Sequence, residues 1–153
     1  MTRPILMLDI DGVLVTRATC GKRPRAFAAG PLAELVRVYR ETNCRIVLSS
    51  TWRCDPRWRE TMIEHGLLLP LHDRTPDLRL KAIERGVDPT TLQTNRGHEV
   101  AEWRRRHRSR GTYAIVDDDA DFNDEQKLRL VQTTFEDGLT PALADRLIAL
   151  LKE

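Results

Sequence analysis

Apolar positions along the chain fall into two patterns: short unbroken runs, and longer stretches in which they recur every three or four residues. Pro4 to Ile10 is a run of the first kind, closed by Asp11-Gly12, and suits a strand buried on both faces. Leu32, Leu35, Val36 and Tyr39 follow Gly30-Pro31 at helical spacing and predict a helix over 31–42. Arg45 to Ser50 is a second buried strand, and Asp55-Pro56 opens a helix carrying Trp58, Met62 and Ile63 that stops at Gly66. Leu67 to Leu71 predicts a short apolar strand, followed by a polar connection with one short helix near 77–85. Asn95 caps a helix running from Arg96 to about Arg108, with Val100 and Trp103 facing inward, and the strand Thr112 to Val116 follows. Leu128 to Thr133 predicts a fifth strand, and Thr140-Pro141 opens a last helix with Leu143, Leu147, Ile148 and Leu151 on one face.

Buried strands separated by amphipathic helices predict an α/β fold, a mostly parallel sheet with helices on both faces. The length of 153 residues suits one domain, and 41% hydrophobic with 31% charged residues excludes a disordered chain, a collagen-like chain and a disulfide scaffold. With 25 basic against 23 acidic residues, the net charge of +2 implies no polyanionic partner by itself, so any basic surface must be local. Cys20, Cys44 and Cys54 form no C-x-x-C pair and leave one over if two are bridged, which suits a reducing, cytoplasmic setting. The first apolar run reaches an acid at Asp9, too soon for a signal peptide or a membrane anchor, so no membrane partner is expected.

In a parallel sheet the working residues gather beyond the carboxyl ends of the strands. Three of the buried runs end there in polar groups: Asp9 and Asp11, Ser49 and Ser50, Asp117 and Asp118. Asp9 and Asp11 are two apart, so an extended chain points both carboxylates to one side. Two carboxylates in one site repel and raise each other's pKa unless a cation lies between them or one keeps its proton to act as an acid. Oxygen ligands from two strand ends suit Mg2+, and Asp117, Asp118, Asp119 and Asp121 supply the second cluster.

Leu8-Asp9-Ile10-Asp11-Gly12-Val13-Leu14 resembles the first motif of the haloacid dehalogenase (HAD) superfamily of phosphohydrolases, and three further motifs follow in order. Ser50 after the second strand resembles motif two, Arg96 at a helix start resembles the basic motif three, and Ile115-Val116-Asp117-Asp118 resembles the acidic motif four. Ser50-Thr51-Trp52, the segment Arg96 to Trp103 and the segment Asp117 to Phe122 are most similar to the small HAD domain found with RNA-repair proteins. The resemblance implies a Rossmannoid three-layer sandwich of the minimal, capless type, with a flap at about 13–29 that includes Lys22, Arg23 and Arg25.

It also implies a Mg2+-dependent phosphomonoesterase working through an aspartyl-phosphate. Asp9 is then the nucleophile and Asp11 the acid and base, while Ser50 and Arg96 bind the phosphoryl oxygens. Gly12 allows the sharp turn, and Ser49, Thr51, Trp52 and Arg53 are candidates for contact with phosphate or substrate. The metal falls to Asp9, Asp118 and the backbone carbonyl of Asp11, with Asp117 the second choice at motif four. Two other positions stay open, since Ser49 can replace Ser50 and Lys81 can replace Arg96. The expected partner is a phosphorylated small molecule or a nucleic-acid end.

Three other readings compete: a HAD-like module that binds RNA or protein without turnover, a HAD phosphotransferase, and a phosphoacceptor signalling domain. Intact Asp9 and Asp11 argue against the first, and the motif order argues against the last. The run Arg104 to Arg110 reads first as a solvated helix end, where cations meet the negative end of the helix dipole, with a nucleic-acid phosphate contact, supported by Arg53, Arg57 and Arg59, as the alternative. Trp58 and Trp103 fit helix faces, and the four His residues show no ligand or triad spacing.

Overall fold

The structure, a computed structural model, describes residues 2–21, 26–91 and 95–153. Lys22, Arg23 and Arg25 of the expected flap lie outside the described residues. Five strands form one sheet: β1 (Ile5–Leu8), β2 (Arg45–Leu48), β3 (Leu71–Arg74), β4 (Tyr113–Asp117) and β5 (Leu130–Gln132). Their order is β3-β2-β1-β4-β5, and every pairing is parallel. The chain therefore winds outward from β1 in both directions, the doubly wound α/β arrangement expected of a HAD-like Rossmannoid domain.

Alternation along the strands sorts the core into two layers. Leu6, Leu8, Ile46, Leu48, Ala114 and Val116 point to one face, where they meet Leu35 and Val38 of helix α1 (Ala29–Thr42), Trp58 and Met62 of α2 (Trp58–Glu64), and Leu147 and Ile148 of α6 (Pro141–Leu151). Ile5, Met7, Val47, Tyr113 and Ile115 point to the other, under Val100 and Trp103 of α4 (Arg96–Arg106). Burial on both faces is the reason β1, β2 and β4 read as unbroken apolar runs. Two shorter helices, α3 (Leu78–Glu84) and α5 (Asp124–Lys127), lie in the connections.

The differences from expectation that matter most fall at two strands and one helix. The third strand is Leu71–Arg74 rather than Leu67–Leu71, because Leu67 enters the core from a loop while Leu68 is exposed. At the sheet edge β3 alternates half-buried and exposed positions, a pattern without the apolar run that marks a central strand. The fifth strand is shorter than Leu128–Thr133, since Leu128 is the exposed C-cap of α5. Helix α4 ends at Arg106, and Arg108 adopts a positive φ of 48° in the turn that leads into β4. Of the three apolar residues carried by the helix after Asp55-Pro56, Trp58 and Met62 are buried and Ile63 is exposed.

Candidate active site

The register of the central strands sets the site. Leu8 pairs with both Leu48 and Val116, so Asp9, Ser49 and Asp117 occupy one row at the carboxyl end of β1, β2 and β4. Backbone bonds extend the ladder through that row, from Asp9 N–H to Val116 O at 3.0 Å and from Ser49 N–H to Leu8 O at 2.8 Å. Continuing the alternation past Met7, Val47 and Ile115 puts these three residues on the face that carries α4.

Carboxylate oxygens of Asp9, Asp117 and Asp118 lie within 4.8 Å of one another. Asp9 and Asp117 are buried and Asp118 is partly exposed, so the cluster opens to solvent on one side. Burial, with the neighbouring Asp117 carboxylate adding to it, pushes the Asp9 carboxyl far above the usual range, and the Arg96 guanidinium only partly offsets this. Burial raises Asp117 as well. Asp117 Oδ1 accepts the Asp119 N–H at 2.9 Å, whereas its buried Oδ2 has no hydrogen-bond partner among the described residues.

These features fit a hard divalent cation such as Mg2+: oxygen donors only, two of them desolvated and held near a third, and a buried lone pair left open. Arg96, the first residue of α4, stands against the cluster with Nε 3.8 Å from Asp117 Oδ2 and a buried Nη1 that has no partner among the described residues. Its place follows from the helix start, where Asn95 accepts from His98 N–H at 3.0 Å and the His98 ring accepts from Asn95 N–H at 3.2 Å, a reciprocal cap. Asn95 also donates to Asp121 at 3.0 Å, which ties the motif-four loop to α4 and gives Asp121 a structural partner.

Beyond Asp9 the chain makes a single tight turn in which Ile10 O accepts from Val13, Leu14 and Val15 N–H. Gly12 within it has φ +78°, and a Cβ there would fall 2.6 Å from the Asp118 Cβ and nearer still to its carboxylate. The Gly12 carbonyl is held by the buried Thr133 hydroxyl at 2.5 Å. Thr133 escaped the sequence reading, although it is a polar residue at the end of β5, the kind of position that carried the rest of the site. Asp11 is exposed and stands apart from the three-carboxylate cluster; its Oδ2 accepts from Trp52 Nε1 at 3.2 Å.

Ser49 and Ser50 differ in what their hydroxyls do. Ser50 Oγ accepts from Trp52 N–H at 3.3 Å, capping the 3-10 turn Thr51–Cys54, whereas Ser49 Oγ is buried without a partner among the described residues. Thr51 and Trp52 face a cavity beside Asp11. Arg53, expected to reach phosphate or substrate, turns inward instead: it is buried and donates to Thr75 O at 3.1 Å, Ser50 O at 2.8 Å and Glu99 at 2.6 Å. Those bonds tie the turn after β2 to β3 and α4. Lys81 lies with Asp77 and Glu84 along a different depression, whose lining does not include Arg96.

The Arg104 to Arg110 run sits at the amino ends of β1 and β2, opposite the site. Arg104 stacks 3.8 Å over Tyr113, and Arg105 and Arg106 pair with Glu102. No helix among the described residues is long and apolar enough to cross a membrane.

An all-parallel doubly wound sheet with paired acids after its first strand and an acidic pair after its fourth defines a HAD-type domain. The chain belongs to the family described as the HAD domain in Swiss Army Knife RNA repair proteins, whose pattern matches residues 5–144. No curated protein and no solved structure matches the chain.

Proposed function

We propose that the protein is a Mg2+-dependent phosphomonoester hydrolase that works through an aspartyl-phosphate on Asp9, acting on a nucleotide or polynucleotide phosphate. The observation that carries this reading is the convergence of Asp9, Asp117, Asp118 and Arg96 at one strand end, with Asp11 two residues beyond the nucleophile. Asp9, Asp117 and Asp118 would hold Mg2+, which when bound neutralises the repulsion between the carboxylates and an anionic phosphoryl group.

Asp9 Oδ attacks phosphorus, the new P–O bond forms as the ester P–O bond breaks, and Asp11 gives its proton to the departing oxygen. Asp11 then takes a proton from water as that water attacks the aspartyl-phosphate, which frees Asp9 and inorganic phosphate. Arg96 places a fixed positive charge beside the equatorial oxygens, with Nη1 free of other partners among the described residues. Ser49 serves as the hydroxyl donor to those oxygens in place of Ser50, supported by its row beside Asp9 and by an Oγ without a partner among the described residues.

Phosphate release from p-nitrophenyl phosphate, nucleoside monophosphates and phosphorylated oligonucleotides, with and without Mg2+, tests the reading. Turnover that requires Mg2+ and disappears in Asp9→Asn is the expected result. A folded, Mg2+-loaded protein that releases no phosphate from any member would overturn it in favour of a binding module.

A further inference from the structure

The cavity beside Asp11 is left unused by the phosphoryl chemistry. It has a volume of about 570 Å3, within the range of sites for small organic ligands. Three rings form its wall. Phe27 and Trp52 meet edge to face with centroids 5.5 Å apart, Trp52 and His65 meet at 90° and 4.9 Å, and Phe27 and His65 lie tilted at 5.4 Å.

The cavity is joined to the reacting centre through Asp11, which lines its mouth and accepts the Trp52 indole N–H at 3.2 Å. The same ring thus borders the cavity and orients the carboxylate assigned to the leaving oxygen. On the far side Asp55 adds a second carboxylate, fixed by the Thr61 hydroxyl at 2.7 Å and the Arg57 N–H at 2.8 Å. Hydrogen bonding from Thr61 and Arg57 holds Asp55 ionised, below the usual carboxylate range. Aromatic walls with a fixed anionic acceptor suit a planar ring that carries N–H donors better than a flexible alkyl chain.

We infer that this cavity is the leaving-group subsite, and that it takes a nucleobase-like aromatic ring joined through its sugar to the ester oxygen beside Asp11. The inference rests on the phosphomonoesterase reading and locates where that site takes the ring of its substrate. A phosphoryl group over Asp9 and a ring against Trp52 then occupy the two sides of Asp11, which places the ester oxygen near the acid that protonates it. A free nucleotide and the end of a polynucleotide share this chemistry.

Hydrolysis of nucleoside monophosphates is compared with that of glycerol phosphate, in the wild type and in Phe27→Leu and His65→Leu. Binding of unphosphorylated nucleosides is read in parallel from tryptophan fluorescence, with Trp52→Phe identifying the reporting ring. Stacking favours the nucleotide in kcat/KM by about tenfold or more in the wild type, and the ratio falls toward one in both variants. Nucleosides quench the wild type and leave Trp52→Phe unchanged.

A phosphorylated dinucleotide that matches the mononucleotide assigns a polynucleotide end, and one turned over at least tenfold more slowly assigns the free nucleotide; either supports the ring. Equal kcat/KM for nucleotide and glycerol phosphate, with no quenching, overturns the subsite and leaves the phosphatase reading standing. Quenching by nucleosides without hydrolysis of any ester overturns the phosphatase reading and with it the leaving-group role, leaving a ring-binding cavity alone.

Discussion

Replacing Gly12 by Ala tests whether the turn after Asp9 and the acidic loop after β4 form one metal-binding unit. The new Cβ falls 2.6 Å from Asp118 Cβ, and rotation of the Asp118 side chain moves its carboxylate but not its Cβ. The two backbones must therefore separate by roughly 1 Å to reach an ordinary carbon contact. A left-handed φ costs a residue with a Cβ about 1–2 kcal/mol, and overpacking adds about 1–3 kcal/mol. For a chain of 153 residues the sum, about 2–5 kcal/mol, lowers Tm by roughly 4–20 °C.

The separation also draws Asp118 away from Asp9 and Asp117. A ligand at a hundred times its Kd stabilises by about 2.7 kcal/mol, so wild-type Tm should rise by several degrees on adding saturating Mg2+. Thermal denaturation with EDTA and with Mg2+ reads both effects. Gly12→Ala should lose most of the Mg2+-induced rise as well as basal stability. Gly30→Ala, in α1 at a position where a Cβ meets nothing within 4 Å, should keep the rise and be neutral or slightly stabilising. A Gly12→Ala protein with the wild-type Mg2+ response would refute the coupling.

Three further outcomes follow from the same geometry. Without Mg2+ the native state keeps protons on Asp9, pushed up to about 8, and on Asp117 that the unfolded chain releases near its ordinary pKa of about 4, so Tm falls as pH rises through that window. Asp117→Asn flattens this fall, and a Tm that climbs with pH in EDTA for the wild type but not the variant would contradict it. Arg53→Met strands the Glu99 carboxylate and should cost about 3–5 kcal/mol in urea denaturation, where a loss under 1 kcal/mol would return Arg53 to the phosphate or substrate contact expected from sequence. Ser49→Ala should lower kcat with Mg2+ by about tenfold to a thousandfold, while Ser50→Ala mainly lowers Tm through the lost cap; the reverse pattern would restore Ser50 to the phosphoryl site.

The central sheet was legible because β1, β2 and β4 are covered on both faces and so carry uninterrupted apolar sequence. Edge strand β3 was not, since Leu71–Arg74 is half-exposed while the more apolar Leu67 to Leu69 is loop. Helix α5, only Asp124–Lys127, is too short to show a period and is held instead by a reciprocal Asn123–Gln126 cap. Within the site, the acids were readable because carboxylates at buried strand ends have few structural uses. Arg53 was misplaced because nearness in sequence to the second strand's end does not tell whether a side chain turns outward or, as here, in toward Glu99. The choice between Ser49 and Ser50 needs the strand register, which a single sequence does not contain.

The claim that Asp9 carries the phosphoryl group is tested most directly by acid-quenching the protein during turnover of a 32P-labelled ester and mapping the retained label. Label on the peptide containing Asp9, formed with Mg2+ and absent in EDTA and in Asp9→Asn, is the predicted result. Phosphate release that continues in Asp9→Asn, with no label retained by the wild type, would contradict it.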